Sequence, residues 1–178
     1  MCRFLLTIGF VTVAGAALAQ HQHGSHGASA ATPYAGLDRR AVASLSDEQV
    51  ADLRAGRGMG LALSAELNGY PGPIHVIELA APLGLTDAQR SRVEALHAAM
   101  RAEAVPLGER LIGQEADLDA AFRQRTVTVA TLAEKTDAIA ATQGLLRRTH
   151  LKYHLDTVQI LTPDQTARYQ ALRGYQAR

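Results

Sequence analysis

Tryptophan is absent, aromatic residues make up 4% of the 178 positions, and there is one cysteine. A chain so poor in large rings does not build a thick mixed core. Its many Ala and Leu residues suit the close approach of helix on helix. Charge of one sign is lacking too: 18 Lys and Arg stand against 17 Asp and Glu, a formal net charge of +1. Displacing the counterions of nucleic acid or of an acidic membrane requires a basic excess, so neither is an expected partner. The single cysteine, Cys2, precedes the first apolar run and is misplaced for lipid attachment. There is no Gly-x-Ser-x-Gly elbow and no His-Glu-x-x-His pair. "GRGMG" at 56–60 lacks the Gly-Lys-Ser/Thr ending and the preceding strand of a phosphate loop. No enzyme activity is expected.

What is present begins with an export signal. Arg3 supplies a positive start, Phe4 to Ala16 are mostly apolar, and Ala17-Leu18-Ala19 is a small-x-small cleavage site. Residues 1–19 therefore read as a cleaved secretory signal peptide, which implies a periplasmic protein. Cleavage removes Cys2, so neither disulfides nor thiolate chemistry are available to the exported chain. Residues 20–36, "QHQHGSHGASAATPYAG", are small and polar and read as a disordered tail. Its His21, His23 and His26 form a weak candidate tract for transition metals.

Residues 37–82 read as a segment of short helices. Ser46 and Gln49 make a capping box for the first, which Gly56 closes. A second short helix is expected from about Met59 to Leu67, ended by Asn68-Gly69. Pro73 opens a third, carrying "IHVIELAA", which Pro82 and Gly84 end. His75 and Glu78, three apart on it, read as an exposed pair.

Residues 83–175 carry a repeated phrase. "LTDAQ" at 85–89 returns as "LTPDQ" at 161–165, with Arg92, Ala95 and Leu96 matched by Arg168, Ala171 and Leu172. In Leu-Thr-x-x-Gln the Thr hydroxyl accepts a first-turn N–H and the Gln reaches back to the Thr N–H. Leu85, Thr86 and Gln89, and again Leu161, Thr162 and Gln165, thus read as helix-starting boxes. The first predicts a helix from Thr86 to about Phe122, kinked at Pro106. The second begins a final helix at Pro163. Between them, apolar residues spaced alternately three and four apart predict a long helix from Val129 to Ile160. No stretch alternates with period two.

The expected fold is all-α: an antiparallel long-helix hairpin with short flanking helices, dimerising. A turn near 124–126 pairs residues whose numbers sum to about 250. That register gathers His97, Met100, His150 and His154 near the open end. Three imidazoles and a thioether suit zinc, copper or nickel better than magnesium or calcium. No cofactor is required by this reading.

Two such boxes on an exported, helical chain resemble the LTXXQ-motif proteins, the Spy/CpxP family, over roughly Leu83 to Tyr175. The resemblance implies a periplasmic helical hairpin that forms homodimers. It also implies one of two functions. One is an ATP-independent chaperone or envelope-stress protein that binds unfolded or misfolded envelope proteins. Arg90, Arg92, Arg101, Arg147, Arg148 and Lys152 would lend local charge to its client-binding surface. The other is a heavy-metal sensor or resistance accessory. A third class is a structural dimer that presses on a membrane sensor protein.

Overall fold

The structure, a computed structural model, describes residues 33–175, which are helical and contain no strand. The expected signal peptide and His21, His23 and His26 lie outside the described residues. So does most of the tail.

Among the described residues seven α-helices follow a single 3-10 turn: α1 (Asp47–Ala55), α2 (Leu63–Glu66), α3 (Pro73–Glu78), α4 (Ala80–Leu83), α5 (Asp87–Arg123), α6 (Val129–Val158) and α7 (Pro163–Arg173). The helix starts follow the predicted chemistry. Ser46, Thr86 and Thr162 each accept the N–H three residues on, and Gln49, Gln89 and Gln165 each answer the cap residue's own N–H. Thr128 does the same for α6 with Thr131, a box the sequence reading did not identify. Gly56, Gly84 and Gly174 end α1, α4 and α7 in the left-handed conformation, at φ 66°, 65° and 71°.

Two expectations needed correction. The helix expected from Met59 to Leu67 shrinks to Leu63–Glu66, because Met59 and Gly60 take positive φ of 43° and 79° and cannot start it. The helix expected to continue from Pro73 breaks at Leu79, and Pro82 lies inside the next short helix rather than ending the first.

α5 and α6 pack side by side as the antiparallel hairpin, and α5 runs through Pro106 as one element. Two cores form along it. In the middle, α1 lays Leu53 against Ala104, Leu111, Ile112, Ile139 and Leu146. At the open end, Val76 and Leu83 meet Val93, Ile160, Leu161 and Tyr169. Gly108 sets the approach of α1: a Cβ there would lie 2.5 Å from the Leu53 carbonyl oxygen, so any other residue would push the two backbones apart.

The closed end of the hairpin is barer than its apolar spacing suggests. Val129 and Leu132, expected in the interface, are 88% and 37% exposed, and Phe122 beside the turn is 53% exposed. Thr142 and Thr149 are buried, while Thr136 and Gln143 face outward. Contacts across the hairpin also run further toward the open end than the expected register. Glu103 accepts from Lys152 Nζ at 3.1 Å and from the Tyr153 hydroxyl at 2.7 Å, pairs whose numbers sum to 255 and 256.

Candidate functional site

Between the two cores the short N-terminal helices bridge the hairpin without filling the space beneath them. A cavity of about 650 Å³ remains, roofed by residues 56–74 and floored by α5 and α6. His97, Met100, His150 and His154, the four residues singled out as metal-ligand candidates, all border it. His75 and Glu78 stand at its edge and pair with each other at 3.1 Å.

The four candidates differ in what they are free to do. His154, buried, holds Nδ1 at 2.7 Å from the Tyr70 carbonyl oxygen and at 3.7 Å from the Glu66 carboxylate. It thereby ties α6 to the loop before α3. His150 is 2% exposed, and its Nε2 has no hydrogen-bond partner. Burial pushes the His150 pKa below its ordinary value, and neighbouring His154 adds to the shift. His97 is half-buried and also lowered, first by burial, then by the Arg101 charge, with Glu78 opposing. Both rings are therefore biased toward the neutral form, the form that binds metal. Among the described residues, however, no three His, Cys, Asp or Glu side chains lie where they could hold an ion. The sequence register brings the four residues to one cavity but not to one point.

The strongest polar cluster was not foreseen. Glu66, 6% exposed at the end of α2, accepts from the Gly72 N–H at 3.0 Å, from Tyr175 at 3.1 Å and from the fully buried Tyr169 hydroxyl. Burial and the Glu66 contact drive the Tyr169 pKa far upward, so its proton stays and donates. Gly72 leaves room for this closure: a Cβ there would lie 2.9 Å from His154 Cε1 and force that ring to shift. One buried carboxylate thus latches the N-terminal segment to α7. Nothing in "LSAEL" distinguishes Glu66 from a solvated helix residue.

The repeated boxes also meet. Gln89 Nε2 donates to Gln165 Oε1 at 2.8 Å, and Gln165 Nε2 donates to Gln89 Oε1 at 3.1 Å. Each amide nitrogen also reaches a carbonyl two residues before the other box's Thr: Gln89 to Ile160 at 2.9 Å, Gln165 to Gly84 at 3.4 Å. Each amide oxygen meanwhile accepts its own Thr N–H. The two copies of the phrase thus bind each other reciprocally. Leu161 is buried beside them and Leu85 packs against the same cluster.

Of the residues expected to charge a client surface, Arg90, Arg92, Arg147 and Arg148 are exposed. Lys152 pairs with Glu103, and Arg101 Nε donates to the Ala55 carbonyl oxygen at 3.1 Å beside the cavity. The Tyr153 and Lys152 hydrogen bonds hold the Glu103 carboxyl below its usual range.

The apolar surface is uneven. Met59, Leu63, Leu67, Tyr70 and Ile74 are 36–54% exposed within one 16-residue stretch, and Met59, Leu63 and Ile74 border the cavity.

Comparison with protein-family models matches the LTXXQ motif family protein model over residues 74–173, more than half of the chain. No curated protein and no solved structure matches.

Proposed function

We propose, from the premise that the chain belongs to the LTXXQ motif family, that it acts as a Spy/CpxP-like chaperone of the periplasm. In this reading it binds unfolded envelope proteins without ATP, does no catalysis and works as a homodimer. The observation that carries the proposal is the exposed apolar stretch Met59–Ile74. Apolar groups gathered on a folded surface mark places where another molecule docks. This stretch is braced from beneath by the Glu66 latch and the His154–Tyr70 bond, so it stays exposed rather than collapsing inward. Phe122, Val129 and Leu132 offer a second apolar site at the hairpin's closed end, Arg147 and Arg148 supply charge between the two, and Arg90 and Arg92 supply it at the open end. The test is dilution of a chemically denatured client into buffer without nucleotide. Equimolar protein is expected to slow its light scattering, and no effect at several-fold excess refutes the reading.

A second reading, a transition-metal sensor or buffer, is favoured by the unpartnered His150 Nε2 beside His97, Met100 and His154. Bringing these donors onto one ion requires side-chain rotation, because no three ionisable ligands converge as they stand. Calorimetric titration with Zn²⁺, Cu²⁺ or Ni²⁺ tests it. Tight binding abolished by His150→Ala and His97→Ala supports it. Weak binding lost on deleting residues 20–30 leaves only the tail tract.

A further inference from the structure

The cavity joins an apolar lining to an arginine that neither reading uses. Its volume of about 650 Å³ falls within the range of roughly 300–1,000 Å³ typical of small-molecule sites. Met59, Leu63, Ile74 and Met100 give it an apolar lining.

The charges around it are unevenly matched. Asp52 is paired with Arg57, Glu78 with His75, and Glu66 with two tyrosine hydroxyls and the Gly72 N–H. Each of these carboxylates is thus already answered by a hydrogen bond, that from His75 carrying charge only when the ring is protonated. Arg101 is not: among the described residues it has no carboxylate partner. Its Nε is fixed to the Ala55 carbonyl oxygen at 3.1 Å, which leaves the two terminal nitrogens of the guanidinium to donate elsewhere. A planar fork of this kind matches a carboxylate with two parallel hydrogen bonds. The His150 ring borders the same cavity, but its unpartnered Nε2 is buried and not open to it.

We infer that this cavity binds a small amphiphile with an aliphatic body and a single carboxylate, the body lying among Met59, Leu63, Ile74 and Met100 and the carboxylate on Arg101. The apolar lining selects the body and the unanswered guanidinium selects the sign of the head group. A cationic amphiphile would meet Arg101 with like charge.

The sequence holds three methionines, Met1, Met59 and Met100, and two of them line this cavity. Methyl-¹³C methionine spectra of the full chain therefore read the site directly, with decanoate as the probe below its micellar concentration. Saturable shifts of both Met59 and Met100 are expected, at one decanoate per chain by calorimetry. Decyltrimethylammonium should bind at least about tenfold more weakly, and Arg101→Gln should weaken decanoate by a similar factor, as loss of hydrogen bonds to a charged group implies. Arg101→Lys should recover part of the loss. Arg101 is exposed, so these variants keep the fold, which circular dichroism checks. The inference is overturned if the two amphiphiles bind alike, if Arg101→Gln changes nothing, or if neither methionine signal moves. It is equally overturned if Zn²⁺ shifts both methionines and decanoate does not. Because the readout needs no client, its failure leaves the chaperone proposal standing, and failure of the aggregation assay leaves this one standing.

Discussion

Replacing Gln89 by Ala removes more than a helix cap. The side chain accepts the Thr86 N–H, exchanges two hydrogen bonds with Gln165 and donates to the Ile160 carbonyl. At a net ~0.5–1.5 kcal/mol for each of the four bonds, Gln89→Ala should cost roughly 2–6 kcal/mol of stability. Gln165→Ala should cost a similar amount, somewhat less because its bond to Gly84 is long at 3.4 Å. The two Gln–Gln bonds are lost in either single variant, so the double variant cannot lose them twice. A double-mutant cycle should therefore show about 1–3 kcal/mol of coupling. Gln49→Ala is the control: it removes the same capping box from α1 but touches no second box. It should cost about 1 kcal/mol or less and couple to neither glutamine. Urea unfolding of the four proteins in each cycle gives the numbers. Coupling below ~0.3 kcal/mol between Gln89 and Gln165 would refute the clasp, whatever the single losses are.

Other outcomes follow from particular contacts. Gly108→Ala should destabilise by ~1–3 kcal/mol in urea unfolding, because its Cβ strikes the Leu53 backbone and no rotamer relieves it. Gly113→Ala on α5 and Gly144→Ala on α6, whose added Cβ would meet nothing within 4 Å, should instead stabilise by up to ~1 kcal/mol. For His97 and His150 the folded pKa lies below the ordinary histidine value of 6.5, so the unfolded chain takes up protons first as pH falls. Their stabilising effect is therefore present above pH 6.5 and lost as pH falls below it toward the folded values. Melting temperatures between pH 7.5 and 5 should drop, and His150→Leu should flatten part of that drop. An unchanged pH slope in His150→Leu would contradict the burial of a neutral ring. Tyr169→Phe leaves the buried Glu66 without one of its donors and should cost ~1–3 kcal/mol; proteolysis within residues 59–72 should accelerate if that latch holds the segment.

The parts of this fold legible from sequence are those fixed by local chemistry. Thr-x-x-Gln starts a helix wherever it stands, and Gly56, Gly84 and Gly174 end one, so helix limits come close to those observed. The three- and four-residue spacing gives the hairpin and carries His97, Met100, His150 and His154 to one cavity. What was not legible depends on partners distant in sequence. The pairing of Gln89 with Gln165 needs both boxes to be brought face to face. Glu66 is buried only because α7 delivers Tyr169 and Tyr175 to it. Val129 and Leu132 share the apolar spacing of the hairpin interface, yet they lie beyond the reach of α1 and α3 and stay exposed. The cavity itself exists because positive φ at Met59 and Gly60 replaces a helical turn with a loop, a choice that periodicity alone does not show.

Hydrogen exchange of the protein with and without a denatured client tests the docking surface most directly. The account predicts slowed exchange across residues 59–74 when client is bound, with little change at the Thr86–Gln89 and Thr162–Gln165 turns already closed by the clasp. Protection elsewhere with none at 59–74 would contradict it.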